Sequence, residues 1–256
     1  MLRLSTTSLT SIVARYLLVL AGLCVPFVMP ASTKTGGGRA ARAAHVTGDL
    51  PGKADSYTVL YDDLQLDTLS LSRKAFTYAI KGYSRLQAQG QLQNDNVISI
   101  IDFSIPSNKK RLFVIDMISG KLLYNTFVSH GRNSGKAVAT KFSNRPGSFM
   151  SSLGFYITGG TYFGEHGYSL RLVGIEKGIN DKALKRGIVM HSADYVEEDY
   201  IQQRGYSGRS EGCPAIPAEF QQQVIETIKD GSCLFLYSPN KFYTTHSKIV
   251  SRKAVG

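Results

Sequence analysis

The feature that most limits how this chain can fold is a succession of short apolar, β-rich runs cut apart by turn-forming residues. Residues 97–103, 111–116, 122–128, 155–158, 168–173 and 187–191 each have the length and composition of a strand. Between them stand Pro106-Ser107-Asn108, Ser119-Gly120, Asn144-Arg145-Pro146-Gly147 and Gly159-Gly160, residue types that break regular structure and favour turns. Strands at this spacing predict a mainly β, mainly antiparallel structure, a sandwich or barrel. Two helices flank them. Leu69, Ala75, Phe76, Ala79, Ile80, Tyr83 and Leu86 recur at helical spacing, with Ser70 or Ser72 placed to cap the start. Pro217, then Phe220, Val224 and Ile228, then the stop Asp230-Gly231, mark a second helix. Residues 233–237 return as a strand, and the basic tail 241–256 is expected to be frayed.

The amino-terminal end reads as an export signal. Arg3 and Arg15 supply positive charge, residues 16–29 an apolar run, and small residues begin at Ala31, which predicts a signal over residues 1–31. The run is too short for a comfortable membrane span, so contact with the membrane is expected to be transient. Leu23 before Cys24 is too bulky for a lipoprotein cleavage site, which argues against lipid attachment. Residues 32–56, rich in Gly, Ala and Arg without a hydrophobic period, are expected to be a disordered tether. Residues 57–240 suffice for one core, expected to be a single monomeric domain.

Charge and cysteine content narrow the function classes. Lys and Arg number 30 against 19 Asp and Glu, a formal net charge of +11, and the signal carries only two of the positive charges. A basic exported protein is suited to anionic wall polymers or a membrane surface, although a generally cationic solubility surface is equally consistent. Nucleic acid is not expected, because Lys and Arg form no dense cluster with interleaved aromatics. Beyond Cys24 only Cys213 and Cys233 remain, too few for a disulfide scaffold, yet able to pair with each other.

The chemistry concentrates between His191 and Pro214. His191 closes a predicted strand, and a loop later carries Gly208-Arg209-Ser210-Glu211-Gly212-Cys213-Pro214. A thiol is a useful nucleophile only as thiolate, and a nearby imidazole can take its proton and return it to a leaving amine. Gly212 lets the backbone approach a substrate, so the N–H groups of Gly212 and Cys213 are candidates to face an oxyanion. Ser210 either fixes the loop by local hydrogen bonds or lines a groove. Structural readings compete at every position. Cys213 could be disulfide-bonded to Cys233, and Cys233, in an apolar strand, reads as an inert core residue. His130 and His166 could be turn residues, Tyr156 and Tyr168 core aromatics, and Arg171 and Arg209 exposed charges rather than carboxylate receptors. No close pair of ligands at short spacing suggests zinc, so no metal is expected.

The ordered set Val114-Ile115-Asp116, Ser129-His130-Gly131-Arg132-Asn133-Ser134-Gly135, Ser152-Leu153-Gly154-Phe155-Tyr156, His166-Gly167-Tyr168-Ser169-Leu170-Arg171-Leu172 and Gly208 to Ala215 resembles the murein L,D-transpeptidase catalytic domain family, the YkuD-like cysteine transpeptidases. That resemblance implies a β-rich catalytic domain in the periplasm or cell envelope, acting on peptidoglycan stem peptides without a cofactor. Cys213 would be the nucleophile, His191 its base, Ser210 and Gly212 parts of the catalytic loop, and His130, Tyr156, His166, Arg171 and Arg209 substrate contacts. An amine acceptor would give transpeptidation and water L,D-carboxypeptidation. A non-catalytic wall-binding protein with Cys213 and Cys233 paired, or a cysteine amidase, are the alternatives. Glu211 stands where better-known members have His, and Ala215 and Ile216 where they have a basic or amide residue. A carboxylate beside the thiol tends to raise its pKa, and Arg209 offsets it.

Overall fold

The computed structural model describes residues 53–251. The predicted signal and nearly all of the predicted tether lie outside the described residues. Their last part, expected to lack structure, instead begins α1, Lys53–Asp63. The longer α2, Arg73–Ala88, starts where the sequence places a cap: Ser72 Oγ accepts the Ala75 N–H at 3.3 Å. Its buried face is Ala75, Phe76, Ala79, Ile80, Tyr83 and Leu86, the stripe read from helical spacing.

Eight strands form one barrel-like sheet: β1 Val97–Asp102, β2 Leu112–Asp116, β3 Lys121–Thr126, β4 Gly154–Gly164, β5 Gly167–Gly174, β6 Val189–Ser192, β7 Ala215–Ile216 and β8 Cys233–Tyr237. Their spatial order is β3-β2-β1-β8-β4-β5-β6-β7. The mainly β expectation holds. Five pairings are antiparallel, but β1 pairs with β8, and β6 with β7, in parallel. The Gly159-Gly160 pair, expected to end a strand, instead sits inside β4, where the register against β5 shifts between Thr158 and Thr161 as in a β-bulge. The strand therefore continues to Gly164.

At the sheet centre every residue of β1 and β8 is buried, which requires cover on both faces. On one face Phe155 of β4 stacks on Phe235 of β8 at 4.2 Å, and α2 lies against this pair. Gly82 of α2 makes that approach possible: a Cβ there would come 2.0 Å from the Phe155 ring, so no larger residue fits without displacement. Thr158, which points to the other face, donates its hydroxyl hydrogen to Ile228 O of α4, Ala218–Ile228. That helix follows Pro217 and ends before Asp230 and Gly231, both at positive φ, as the sequence signals.

Two further helices, both short, lay outside the sequence reading. One, α3, Glu198–Arg204, lies between His191 and the Cys loop. The other, α5, Lys241–His246, corrects the expectation of a frayed tail: Tyr243 is buried and donates to the buried carboxylate of Glu176 at 3.0 Å. Glu176 also accepts the Phe155 N–H at 2.8 Å and the Ser247 hydroxyl, so the carboxyl-terminal helix is tied to the central strands. A basic composition suggested solvation; one buried tyrosine and one buried carboxylate decide otherwise.

Candidate active site

Parallel pairing of β6 with β7 sets His191 opposite Ala215. Two residues back along each strand, Val189 is then opposite Cys213, and the Val189 N–H donates to Cys213 Sγ at 3.5 Å. The thiol donates to Gly187 O at 3.6 Å. Cys213 and His191 are thus offset by two positions of neighbouring segments, roughly 7 Å along the strand direction. Both line one open pocket of about 610 Å³, together with Tyr162, Glu165, His166, Arg132, Arg186, Tyr195, Arg209 and Glu211.

The imidazole of His191 is almost fully buried, and its Nδ1 lies 2.8 Å from Ser192 O. A carbonyl can only accept, so Nδ1 carries the proton and Nε2 keeps its lone pair. The Ser192 carbonyl, not its hydroxyl, therefore orients the ring. Burial holds this imidazole below its usual pKa, and His166 depresses it further against the Ser192 carbonyl, which favours the charged form. The two imidazoles are stacked, with centroids 4.3 Å apart and planes inclined by 20°.

The thiol of Cys213 is partly exposed, and its surroundings are desolvated enough to push its pKa up. The Val189 N–H and Arg186 pull it down, and Glu211 pushes it up again. Glu211 itself pairs with Arg132 at 3.3 Å, and Arg132 also lies over the Phe149 ring. Both charges of that pair are well exposed, so the carboxylate acts weakly on the thiol. Substituting Glu211→Gln is expected to raise the iodoacetamide reactivity of Cys213 at neutral pH by about threefold, measured as the alkylation rate. An unchanged or lower rate would show that the carboxylate has no bearing on the sulfur.

Local hydrogen bonds fix the Cys loop. Ser210 Oγ donates to Cys213 O at 2.6 Å and accepts the Gly212 N–H at 3.0 Å. The two candidate oxyanion donors thus differ: the Gly212 N–H is engaged by Ser210 Oγ, whereas among the described residues nothing accepts from the Cys213 N–H. Gly212 has a steric reason to be glycine. At φ 128° a Cβ would meet Met150 O at 2.8 Å and Arg186 Nη2 at 3.1 Å. Arg186 lies behind the loop, donating to Ser143 O at 2.9 Å and Met150 O at 2.6 Å.

The remaining candidates divide. His166 and Arg209 line the pocket. Arg209 also donates to Gly135 O at 3.3 Å. His130, expected in a substrate groove, is instead buried: Arg111 Nη2 lies 2.8 Å from its Nδ1 and Gly135 O lies 3.3 Å from its Nε2. Burial first, then Arg111, push its pKa down to about 3, so it is neutral, accepting at Nδ1 and donating at Nε2. Its backbone carbonyl accepts the Ser210 N–H at 3.0 Å, which makes it a support of the Cys loop from below. Tyr156, also expected at the groove, is in the core, with its hydroxyl donating to Ser152 O at 2.9 Å. Arg171 is exposed on β5 and stacks its guanidinium on Tyr162, outside the pocket lining. Sequence reasoning missed Arg186 and Tyr195. Arg186 precedes the His191 strand by a single Gly187 turn, the one local signal it offers. Both thiols among the described residues, Cys213 and Cys233, are free, and Cys233 is buried in β8.

Residues 67–237 match the family model described as L,D-transpeptidase catalytic domain. A search of curated proteins found no match. Among solved structures, the chain is similar to an L,D-transpeptidase from Mycobacterium smegmatis, at 13% identity over 56% of this chain and 59% of that one, with a TM-score of 0.35. It is similar to an L,D-transpeptidase from Stackebrandtia nassauensis, at 14% identity over 66% of this chain and 69% of that one, TM-score 0.34. A third is the helical cell shape determining protein Pgp2 from Campylobacter jejuni, at 15% identity over 57% of this chain and 48% of that one, TM-score 0.35. The match thus spans less than two thirds of the first of these chains.

Proposed function

Because the chain belongs to the L,D-transpeptidase catalytic domain family, we propose that it is a cysteine acyl-transfer enzyme of the bacterial cell envelope, using Cys213 and His191 to remodel peptidoglycan stem peptides. The observation that carries this reading is the single open pocket shared by a partly exposed thiol and an imidazole with a bare Nε2.

With the thiol pKa raised and the imidazole pKa lowered, the resting pair is neutral on both sides. Chemistry begins by general-base catalysis rather than from a preformed ion pair. As the thiol turns from Gly187 O toward the substrate, its proton passes to His191 Nε2 and sulfur attacks the carbonyl carbon preceding the terminal D-alanine of a tetrapeptide. The free Cys213 N–H faces the developing oxyanion. Tyr195 is the second donor: its phenol, pushed up to about 12 by burial and by the nearby Cys213, stays protonated. Collapse breaks the C–N bond, His191 returns its proton to the departing amine, and a thioester remains. A second stem-peptide amine then attacks that carbonyl and loses a proton to His191, and the expelled sulfur recovers it. Water in the amine's place gives the carboxypeptidase outcome.

Two alternatives are addressed by the same site. A wall-binding protein with a Cys213–Cys233 disulfide is disfavoured by the two free thiols and by the burial of Cys233 in the sheet centre. A cysteine amidase would release a different fragment. Incubation with purified muropeptides followed by mass analysis is expected to show tetrapeptides losing D-alanine, with new dimers or tripeptides. Under the same conditions a carbapenem is expected to add its mass once, on the Cys213 peptide. Unchanged muropeptides together with an unmodified Cys213 would overturn the proposal.

A further inference from the structure

We propose that His166, at the tip of the β4–β5 hairpin, is the positioning residue for the His191 imidazole, holding its ring by face-to-face stacking. The inference rests on His191 as the base and assigns a task to a residue otherwise read as a substrate contact.

The bond from Nδ1 to Ser192 O fixes one edge of the His191 ring and leaves its face to be held by packing. A second flat ring, 4.3 Å away and inclined by only 20°, covers that face, so the bonded edge and the stacked face together hold the ring at the pocket. His166 is suited to this task. It is exposed, makes no side-chain hydrogen bond among the described residues, and sits in the two-residue connection between Gly164 and Gly167, so its own ring has no competing partner.

The stack also has an electrostatic consequence, because two imidazolium rings face to face repel. The charged and titratable groups around the pair come from each surrounding element. Tyr162 and Glu165 belong to the hairpin, Arg186 precedes β6, Tyr195 follows it, Arg132 comes from the loop after β3, and Arg209, Glu211 and Cys213 from the Cys loop. The acidic groups among them are Glu165 and Glu211 and the basic ones Arg132, Arg186 and Arg209, with Arg132 paired to Glu211, while burial already holds His191 away from its charged form. A second positive charge stacked on His191 therefore adds to a site already unfavourable to cations. The base stays neutral, and competent to accept a proton, further into mildly acidic conditions than an isolated histidine does.

The test reads the imidazole itself. Protein labelled with ¹⁵N-histidine is titrated by imidazole NMR as wild type, His166→Phe and His166→Ala, with His191→Gln to assign the signals. In wild type, His191 is expected to hold the Nδ1–H tautomer and to titrate below the ordinary histidine range. His166→Phe keeps the flat partner but not its charge. It is expected to preserve the tautomer while reducing the neutral fraction of His191 at mildly acidic pH by about threefold. His166→Ala is expected to produce the same shift and, in addition, averaging of the ring signals. In parallel, the acid limb of D-alanine release is expected to move to higher pH in both variants, with the neutral-pH rate falling further in His166→Ala than in His166→Phe. Identical His191 titration and tautomer in all three proteins would overturn the proposal, as would a lower titration midpoint in His166→Phe. The NMR readout does not require turnover. Muropeptides left intact by wild type count against the enzymatic reading, whereas an unmoved His191 titration counts against the stack.

Discussion

Replacing Cys213 by alanine is expected to reduce D-alanine release from a tetrapeptide donor by at least about 10⁴-fold, because in the proposed mechanism this removes the covalent nucleophile and leaves only substrate binding and oxyanion stabilisation. The loss should be in turnover and not in folding. Cys213 is a small, partly exposed side chain whose sulfur makes, among the described residues, two weak backbone hydrogen bonds, with the Val189 N–H at 3.5 Å and Gly187 O at 3.6 Å. The loop is held by other atoms, chiefly Ser210 Oγ bridging the Gly212 N–H and Cys213 O. Thermal melting of the variant should therefore lie close to wild type while product formation and carbapenem acylation both disappear. Cys233→Ala is the internal control: its thiol is fully buried in β8, with its pKa raised by burial alone, and its loss should leave acylation intact. Activity surviving in Cys213→Ala would remove the sulfur from the mechanism.

The second large effect is structural. Arg111 has no solvent exposure, and among the described residues it has no carboxylate at ion-pair distance. It donates instead to Val128 O at 3.0 and 2.8 Å, to Ile105 O at 3.0 Å and to His130 Nδ1 at 2.8 Å. Burial presses its pKa down to about 9, and the attraction of Asp102 only partly restores it. The Arg111→Met variant fills similar space but orphans these three acceptors, each worth about 1–3 kcal/mol when left buried and unpaired. Part of this is offset because the charge no longer has to be desolvated. The net expectation is a loss of about 3 kcal/mol in unfolding free energy, read from urea denaturation. The same substitution should loosen the Cys loop, since the His130 that Arg111 fixes accepts the Ser210 N–H through its carbonyl. Unchanged stability would mean that water satisfies those acceptors.

Much of the sheet was legible because strand formation is a local property. Val97 to Asp102, Cys233 to Tyr237 and the capped α2 declare themselves through apolar runs, period and a serine in the right place. The parallel join of β1 to β8 was not legible, because it couples segments from opposite ends of the folded region and leaves no local mark. The Gly159-Gly160 pair misled for a related reason: glycine permits a turn or a bulge equally, and only the partner strand decides. At the candidate site, residue type, order and spacing single out Cys213 and His191, and both line one pocket. The fate of His130 was not, since its burial depends on a guanidinium 19 residues away. Arg186 and Tyr195 escaped notice because neither belongs to a pattern; the register of β6 and the course of the chain after it bring them to the pocket.

The parallel contact between β1 and β8 also governs the timing of assembly. Synthesis delivers the chain from its amino end, and Ile98 cannot find Cys233 until more than half of the protein has emerged. Until then the sheet lacks its middle, and β1 and β4 each present an unpaired edge where β8 will insert. Maturation should therefore be slow and cooperative, completed by a late-arriving strand, and a chain shortened before Cys233 should remain a substrate for proteases however intact its pocket residues.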